Sequence, residues 1–263
     1  DTNYVFDPIL SRRTPMDLPI KPKFDYIHFT TIDSTNSWVK RNTDLLNQNH
    51  ISVITANQQT KGYGRFKRSW MSPLGNIYAT LFFTLPLDYS YLINLGQILA
   101  LACNHVLESK GFPLQLKWPN DLLLKKKKIA GILVEVLHTE KLEIVLGMGL
   151  NVNMDEEHLK KVDQQATSLM LFSKKTWILG SILNPILYTF YNYLRLLSSS
   201  GFTHFQPIYQ KLLAFQGKEI ICRLGNQKIQ GICHSINSDG TLNLQLPSGF
   251  MISLNAAEIS TKK

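Results

Sequence analysis

The sequence predicts an α/β fold, a mixed β-sheet with helices packed on one side, followed by a small C-terminal β-barrel. Up to residue 215, β-branched and aromatic runs alternate with amphipathic stretches, as strands interleaved with helices do. After Gly217 only short strand-like runs remain, separated by "GN", "NSDG" and "PSG", which is turn chemistry. A chain of 263 residues suffices for one such domain plus a small module.

Residues 1–25 read as an extended arm punctuated by Pro8, Pro15, Pro19 and Pro22. A first domain is expected over 26–215 and the barrel over 216–263. "YIHFTTI" (26–32) suits a strand, and "STNSWVKRNTDLLNQ" (34–48) a helix opened by a Ser/Thr cap. "ISVITAN" (51–57) and "NIYATLFFTL" (76–85) are strands on either side of a basic glycine loop. Residues 91–111 suit a helix ending at Gly111. "LQLKW" (114–118), "KIAGILVEV" (128–136) and "LEIVLGMGLNV" (142–152) suit strands, and "DEEHLKK" (155–161) a short helix. In 177–198, Ile182, Ile186, Phe190, Tyr193 and Leu197 recur at helical spacing. Asn184, Pro185, Asn192 and Arg195 in that stretch favour a one-sided helix over a membrane span. One more helix is expected over 203–215. "KEIICRL", "KIQGICHSI", "TLNLQL" and "FMISLN" are the barrel strands.

The net charge of +9 fits a nucleic acid, an acidic partner or anionic ligands such as nucleotide phosphates, although most lysine doublets read as solvated surface. Cys103, Cys222 and Cys233 stand far apart, with no metal-ligand spacing, so neither a disulfide framework nor a zinc site is indicated. The cysteine usage suits a reducing compartment, and the arm shows no signal-peptide pattern. A cytoplasmic protein without membrane attachment is therefore expected.

Two stretches point to chemistry. In "QQTKGYGRFKRSW" (58–70), Gly62 and Gly64 let the backbone approach a ligand, and Lys61, Arg65, Lys67 and Arg68 supply positive charge. The spacing is that of neither a Walker A loop nor GxGxxG, and a solvated connection would look similar. In "LKWPND" (116–121), Lys117 ends an apolar run. A desolvated ammonium needs a counter-charge. Asp121 can supply it, or Lys117 can hold the carboxylate or phosphate of a ligand. The run Lys125–Lys128 reads as an exposed tight turn.

Together these stretches resemble the biotin protein ligases. The likeness rests on "STN" (34–36), the glycine loop, "SPLGNIY" (72–78), "KWPND" (117–121), "KIAGILVE" (128–135) and "GMGLNVN" (147–153), in that order over about residues 26–263. The resemblance implies a class II synthetase-like sheet and an SH3-like barrel. It implies that biotin's carboxylate attacks the α-phosphate of ATP, brought as its Mg2+ complex, and that a lysine of a biotin carboxyl carrier domain then takes the biotinyl group. It places Ser34, Thr35, Asn36, Gln59, Tyr63, Gly64, Tyr78, Gly131 and Gly147 on biotin. Lys117 and Arg65 are implied as catalytic and shared between biotin and nucleotide, with Asn151 on the nucleotide side. Gly149 is a further close-approach position. No metal-binding residues are implied.

The chain departs from the family in the loop. Bacterial members usually carry GRGRxGRxW; here Tyr63 replaces an arginine, and Phe66–Lys67 replaces a residue plus a glycine. Lys61 or Lys67 can restore the charge. A 25-residue arm holds no helix-turn-helix, so ligase activity without specific DNA binding is expected. The resemblance allows a homodimer. Competing readings are a lipoate or octanoate ligase of the same fold, a basic nucleic-acid-binding protein, and an idle biotin-binding module.

Overall fold

A computed structural model describes residues 21–138 and 140–261. Residues 1–20 of the expected arm, and the Lys262–Lys263 doublet, lie outside the described residues. The strands of the first sheet are β1 (Phe24–Ile32), β2 (Ile51–Gln59), β3 (Ile77–Leu85), β4 (Leu114–Lys117), β5 (Asp121–Leu124), β6 (Lys127–His138) and β7 (Leu142–Leu150). They lie in the order β1-β2-β3-β7-β6-β5-β4. β1 and β2 run parallel and the other neighbours antiparallel, so the sheet is mixed. The parallel pair needs a crossover, which the helix α1 (Thr35–Arg41) supplies.

α1 is shorter than the sequence suggests. It stops at Arg41, and Thr43–Leu45 forms a separate 3-10 turn. Its position also corrects the one-sided arrangement of helices. α2 (Leu95–Glu108) and α5 (Gly180–Ser200) do share one face of the sheet with Val53, Leu81 and Leu146. The neighbouring residues Ile54, Phe82 and Val145 point to the opposite face, where Val39 and Trp38 of α1 cover them. α2 is buried on nearly all sides, which explains its continuous apolar run. Two short helices, α3 (Glu156–Lys160) and α4 (Leu169–Ser173), follow the sheet, and α6 (Gln206–Leu212) precedes the C-terminal strands. The four-residue strand β5 and the five-residue helix α4 are below the length at which periodicity is readable.

The remaining strands are β8 (Glu219–Leu224), β9 (Gln227–Ile236), β10 (Leu242–Gln245), β11 (Met251–Leu254) and β12 (Glu258–Thr261). They form one antiparallel sheet in the order β11-β10-β9-β8-β12. The barrel expectation is reduced accordingly: among the described residues no pairing joins β11 to β12. The hydrophobic core runs on into this sheet through Ile220, Cys222, Cys233 and Leu242.

The "NSDG" turn anchors the two sheets to each other. The carbonyl of Gly240 accepts from Trp118 Nε1 at 3.0 Å and from Gln97 Nε2 at 2.7 Å, and Asn94 Nδ2 donates to Asp239 O at 2.9 Å. Gly240 has φ +87°, and a Cβ there would overlap the amides of Asn94 and Gln97. The turn therefore sits directly behind Trp118, which follows Lys117 and precedes the cis bond to Pro119. This contact places β12 beside the glycine loop.

Candidate functional site

A cavity opens where β4, β5 and β6, the glycine loop and the start of β12 meet. Its first end is built from α1. Ser34 caps that helix, accepting from Ser37 N at 3.3 Å, and so fixes the direction of the two residues after it. Thr35 N donates to Gln59 Oε1 at 2.9 Å, and Gln59 Nε2 donates to Ser72 Oγ at 3.0 Å. Thr80 Oγ1 donates to Asn36 Oδ1 at 2.6 Å and also lies 2.7 Å from Thr35 Oγ1. Thr35 Oγ1 in turn lies 3.2 Å from Gln59 Oε1, and since each hydroxyl carries one proton the two threonines share this set of acceptors between them. Asn36 Nδ2 donates to Glu135 Oε2 at 2.9 Å, which sets the orientation of the amide. Asn36 is 5% exposed and retains one N–H and one lone pair after these bonds.

The glycines serve these side chains. A Cβ on Gly147 would overlap Asn36 Oδ1, so the close approach there is made by Asn36. A Cβ on Gly149 would press into the indole of Trp70 at 2.5 Å, and one on Gly131 would meet Trp70 at 3.0 Å. Trp70 thus lies flat against β6 and β7 as part of the cavity wall. Among the described residues its buried Nε1–H has no acceptor.

The second end is cationic. Lys117 and Asp121 face each other across the β4–β5 hairpin. Asp121 Oδ2 is 3.9 Å from Lys117 Nζ, whereas Asp121 Oδ1 is 2.9 Å from Lys128 Nζ. Lys117 is therefore not without a partner, but Lys128 holds the shorter bond. Burial pushes the Lys117 ammonium below its ordinary value; Asp121 counteracts this, and Lys128 adds to it. The expected exposure of Lys125–Lys128 holds for the first three, while Lys128 turns into the cavity. Its Nζ also sits 5.1 Å from the centre of a Trp70 ring.

The glycine loop arches over this end. Gly64 N donates to Arg68 O and Trp70 N to Gly62 O, both at 2.8 Å, making the loop a small hairpin. Phe66 and Lys67 have φ +56° and +55°, left-handed values that a glycine adopts without cost. Arg65 Nη1 donates to Ala257 O at 2.9 Å, and Arg68 pairs through two nitrogens with Glu258, at the start of β12. Burial lowers the Arg65 pKa, with Asp121 and Glu258 acting against it. Tyr63 points the other way, toward the first end.

The structure thus brings Ser34, Thr35, Asn36, Gln59, Tyr63, Gly64, Arg65, Lys117, Gly131 and Gly147 to one cavity. Tyr78 and Asn151 do not line it. Tyr78 is 2% exposed and its hydroxyl donates to Pro73 O at 2.7 Å. Asn151 Nδ2 donates to Thr167 O at 3.1 Å, beneath the loop that precedes α4. Both side chains are buried and hydrogen-bonded away from the cavity. The sequence reading missed Lys128, Trp70 as a wall, and Glu258.

Residues 28–153 match the model of the Biotin/lipoate A/B protein ligase family. The bifunctional ligase/repressor BirA of Salmonella typhimurium is 29% identical over 237 residues, spanning 86% of this chain and 73% of that protein. The biotin–[acetyl-CoA-carboxylase] ligase of Paracoccus denitrificans is 28% identical over 221 residues, spanning 78% and 88%. A solved structure of the biotin protein ligase from Aquifex aeolicus, in complex with biotin and ATP, superposes with a TM-score of 0.77 at 29% identity, covering 90% of this chain and 97% of that one.

Proposed function

We propose that this chain, which carries a domain of the biotin/lipoate A/B protein ligase family over residues 28–153, is a biotin protein ligase. It activates biotin with ATP to biotinyl-5′-AMP and transfers the biotinyl group to a lysine of a biotin carboxyl carrier domain. The observation that carries this reading is the pair Lys117 and Lys128 sharing one carboxylate, Asp121, inside a cavity. Two cations on one anion leave a positive charge for a ligand to meet.

In the first step an oxygen of the biotin carboxylate forms a bond to the α-phosphorus, and the bond to the departing pyrophosphate breaks. Both reactants are anions, so cations must offset their repulsion and stabilise the charge that builds on the phosphorus. Lys117 and Lys128 are suitably placed for the carboxylate and the α-phosphate. Arg65, which keeps its charge at any working pH, offers a planar fork to the phosphate. In the second step the amine of the acceptor lysine attacks the acyl carbon, loses a proton, and AMP departs. The reaction needs no protein nucleophile.

Thr35, Asn36 and Gln59 suit the neutral ring end of biotin, because each has hydrogen-bonding capacity left at a buried surface. Ser34 orients them as the helix cap. Trp70 offers an apolar face and a free indole N–H. In this scheme Mg2+ enters as part of the substrate MgATP. A homodimer and a cytoplasmic setting belong to the same proposal.

The test is pyrophosphate release from ATP with biotin, with lipoate and with neither, on the wild type, Lys117→Ala and Lys128→Ala. Release that requires biotin and collapses in both variants is expected. Release with lipoate alone would move the chain to the other branch of the family. No substrate-dependent release from folded wild type would overturn the reading.

A further inference from the structure

We infer that Glu135 is a positioning residue that couples the glycine loop to Asn36, with Tyr63 as the loop's half of the coupling. The inference rests on the ligase reading for its functional consequence, but its geometry stands on the fold alone.

Glu135 lies on β6 outside the cavity lining. Its Oε2 accepts from Asn36 Nδ2 and from Tyr63 OH, each at 2.9 Å. Its Oε1 accepts from Lys40 Nζ at 2.6 Å, and that ammonium lies 5.3 Å from the centre of the Tyr63 ring. One carboxylate oxygen therefore holds both a side chain proposed to meet biotin and the loop that arches over the cationic end. On its other flank Arg65 and Arg68 hold the loop against β12.

Burial would raise the Glu135 pKa, yet the bonds from Lys40, Asn36 and Tyr63 hold its carboxyl below the ordinary range. It is an anion at neutral pH, and both bonds to Oε2 are charge-assisted. The loop's departure from GRGRxGRxW at Tyr63 is explained by this contact. An arginine there and a tyrosine can both donate to a carboxylate, and Lys40 supplies the positive charge the tyrosine lacks.

If Glu135 merely neutralised Lys40, loop and pocket would respond independently. If it couples them, losing either bond frees both. The experiment compares wild type, Tyr63→Phe, Glu135→Gln, the double variant and Tyr63→Arg. The first readout is hydrogen exchange of amides 62–70 in the ligand-free protein, which needs no assumption about substrate. Exchange is expected to quicken roughly tenfold in each single variant, the worth of a hydrogen bond to a charged group. The double variant should be no faster than the slower-closing single one, and Tyr63→Arg should restore the wild-type rate.

The second readout is kinetic. Glu135→Gln should raise the biotin KM about tenfold and lower kcat much less, because a misoriented Asn36 weakens ground-state binding. Its trapped adenylate should hydrolyse faster as water enters under a loosened loop. Unchanged loop exchange in Tyr63→Phe, or additive effects in the double variant, would overturn the coupling. A wild type with no biotin-dependent release would sink the ligase reading instead, and the exchange data would still decide the coupling.

Discussion

The two ends of the cavity follow opposite rules. At the α1 end, Thr35, Asn36, Gln59, Thr80 and Glu135 bond to one another in a continuous chain. At the β4–β6 end, four cations (Arg65, Arg68, Lys117, Lys128) line the wall against two carboxylates, Asp121 and Glu258. A hydrogen-bonded network specifies a shape, since a misfit leaves a buried polar group without a partner. An excess of charge specifies no shape and has high affinity for an anion that arrives from outside. Stability should therefore depend on the first end and catalysis on the second.

The largest effect separates the two. Lys117→Ala and Lys128→Ala should each reduce biotin-dependent pyrophosphate release by about 10²–10³, the usual cost of removing one preorganised charge-stabilising donor. Neither should lower the melting temperature, because the remaining lysine keeps Asp121 paired. A parallel loss of stability and activity in Lys128→Ala would break the distinction, since it would make the pair a structural bridge.

Thr80→Val asks the converse question with a smaller effect. The substitution keeps the volume and strands the buried Asn36 Oδ1 without its 2.6 Å donor. A loss of about 1–3 kcal/mol is expected. For a chain of this size that is a fall in melting temperature of roughly 2–4 °C per kcal/mol, read by calorimetry. Adenylate formation at saturating biotin should suffer less than in the lysine variants.

This asymmetry also governs what the sequence could disclose. The strands around the cavity were readable, because β-branched runs such as "ISVITAN" mark them locally. Lys117 stood out because it ends an apolar run. Lys128 was hidden in a run of four lysines whose composition reads as solvent. Its inward turn comes from strand register. Asp121 pairs with Gly131 and Leu123 with Lys128, so a bulge at Ile129 puts Lys128 on the face of Gly131 that simple alternation would deny it. No local pattern announces that bulge. The placing of Tyr78 and Asn151 outside the cavity was hidden for a related reason. Their types suit a pocket and a core equally well, and only their acceptors, Pro73 O and Thr167 O, decide between them. Glu258 and Ala257 reach the loop across 190 and 192 residues of chain, through a turn docked behind Trp118.

The finest distinction between the two ends is the side of neutrality on which each loses its charge. Glu135 has a folded pKa below its ordinary 4.5, so its contribution to stability is present above that value and is lost as pH falls through the folded pKa. Lys117 is shifted the other way in effect. Its folded pKa lies below the ordinary 10.5, so in the alkaline window between the two the unfolded chain binds more protons and stability rises with pH. Over the same window Lys117 loses the charge proposed to attract an anion, so affinity for biotin is expected to fall while the fold gains. The pH profile of kcat/KM for biotin should therefore show an alkaline limb that begins below 10.5. Lys117→Arg should move that limb upward, whatever its effect on the maximal rate, because a guanidinium stays protonated throughout. A limb that does not move would assign the titration to another group and leave Lys128 as the lysine that meets the carboxylate.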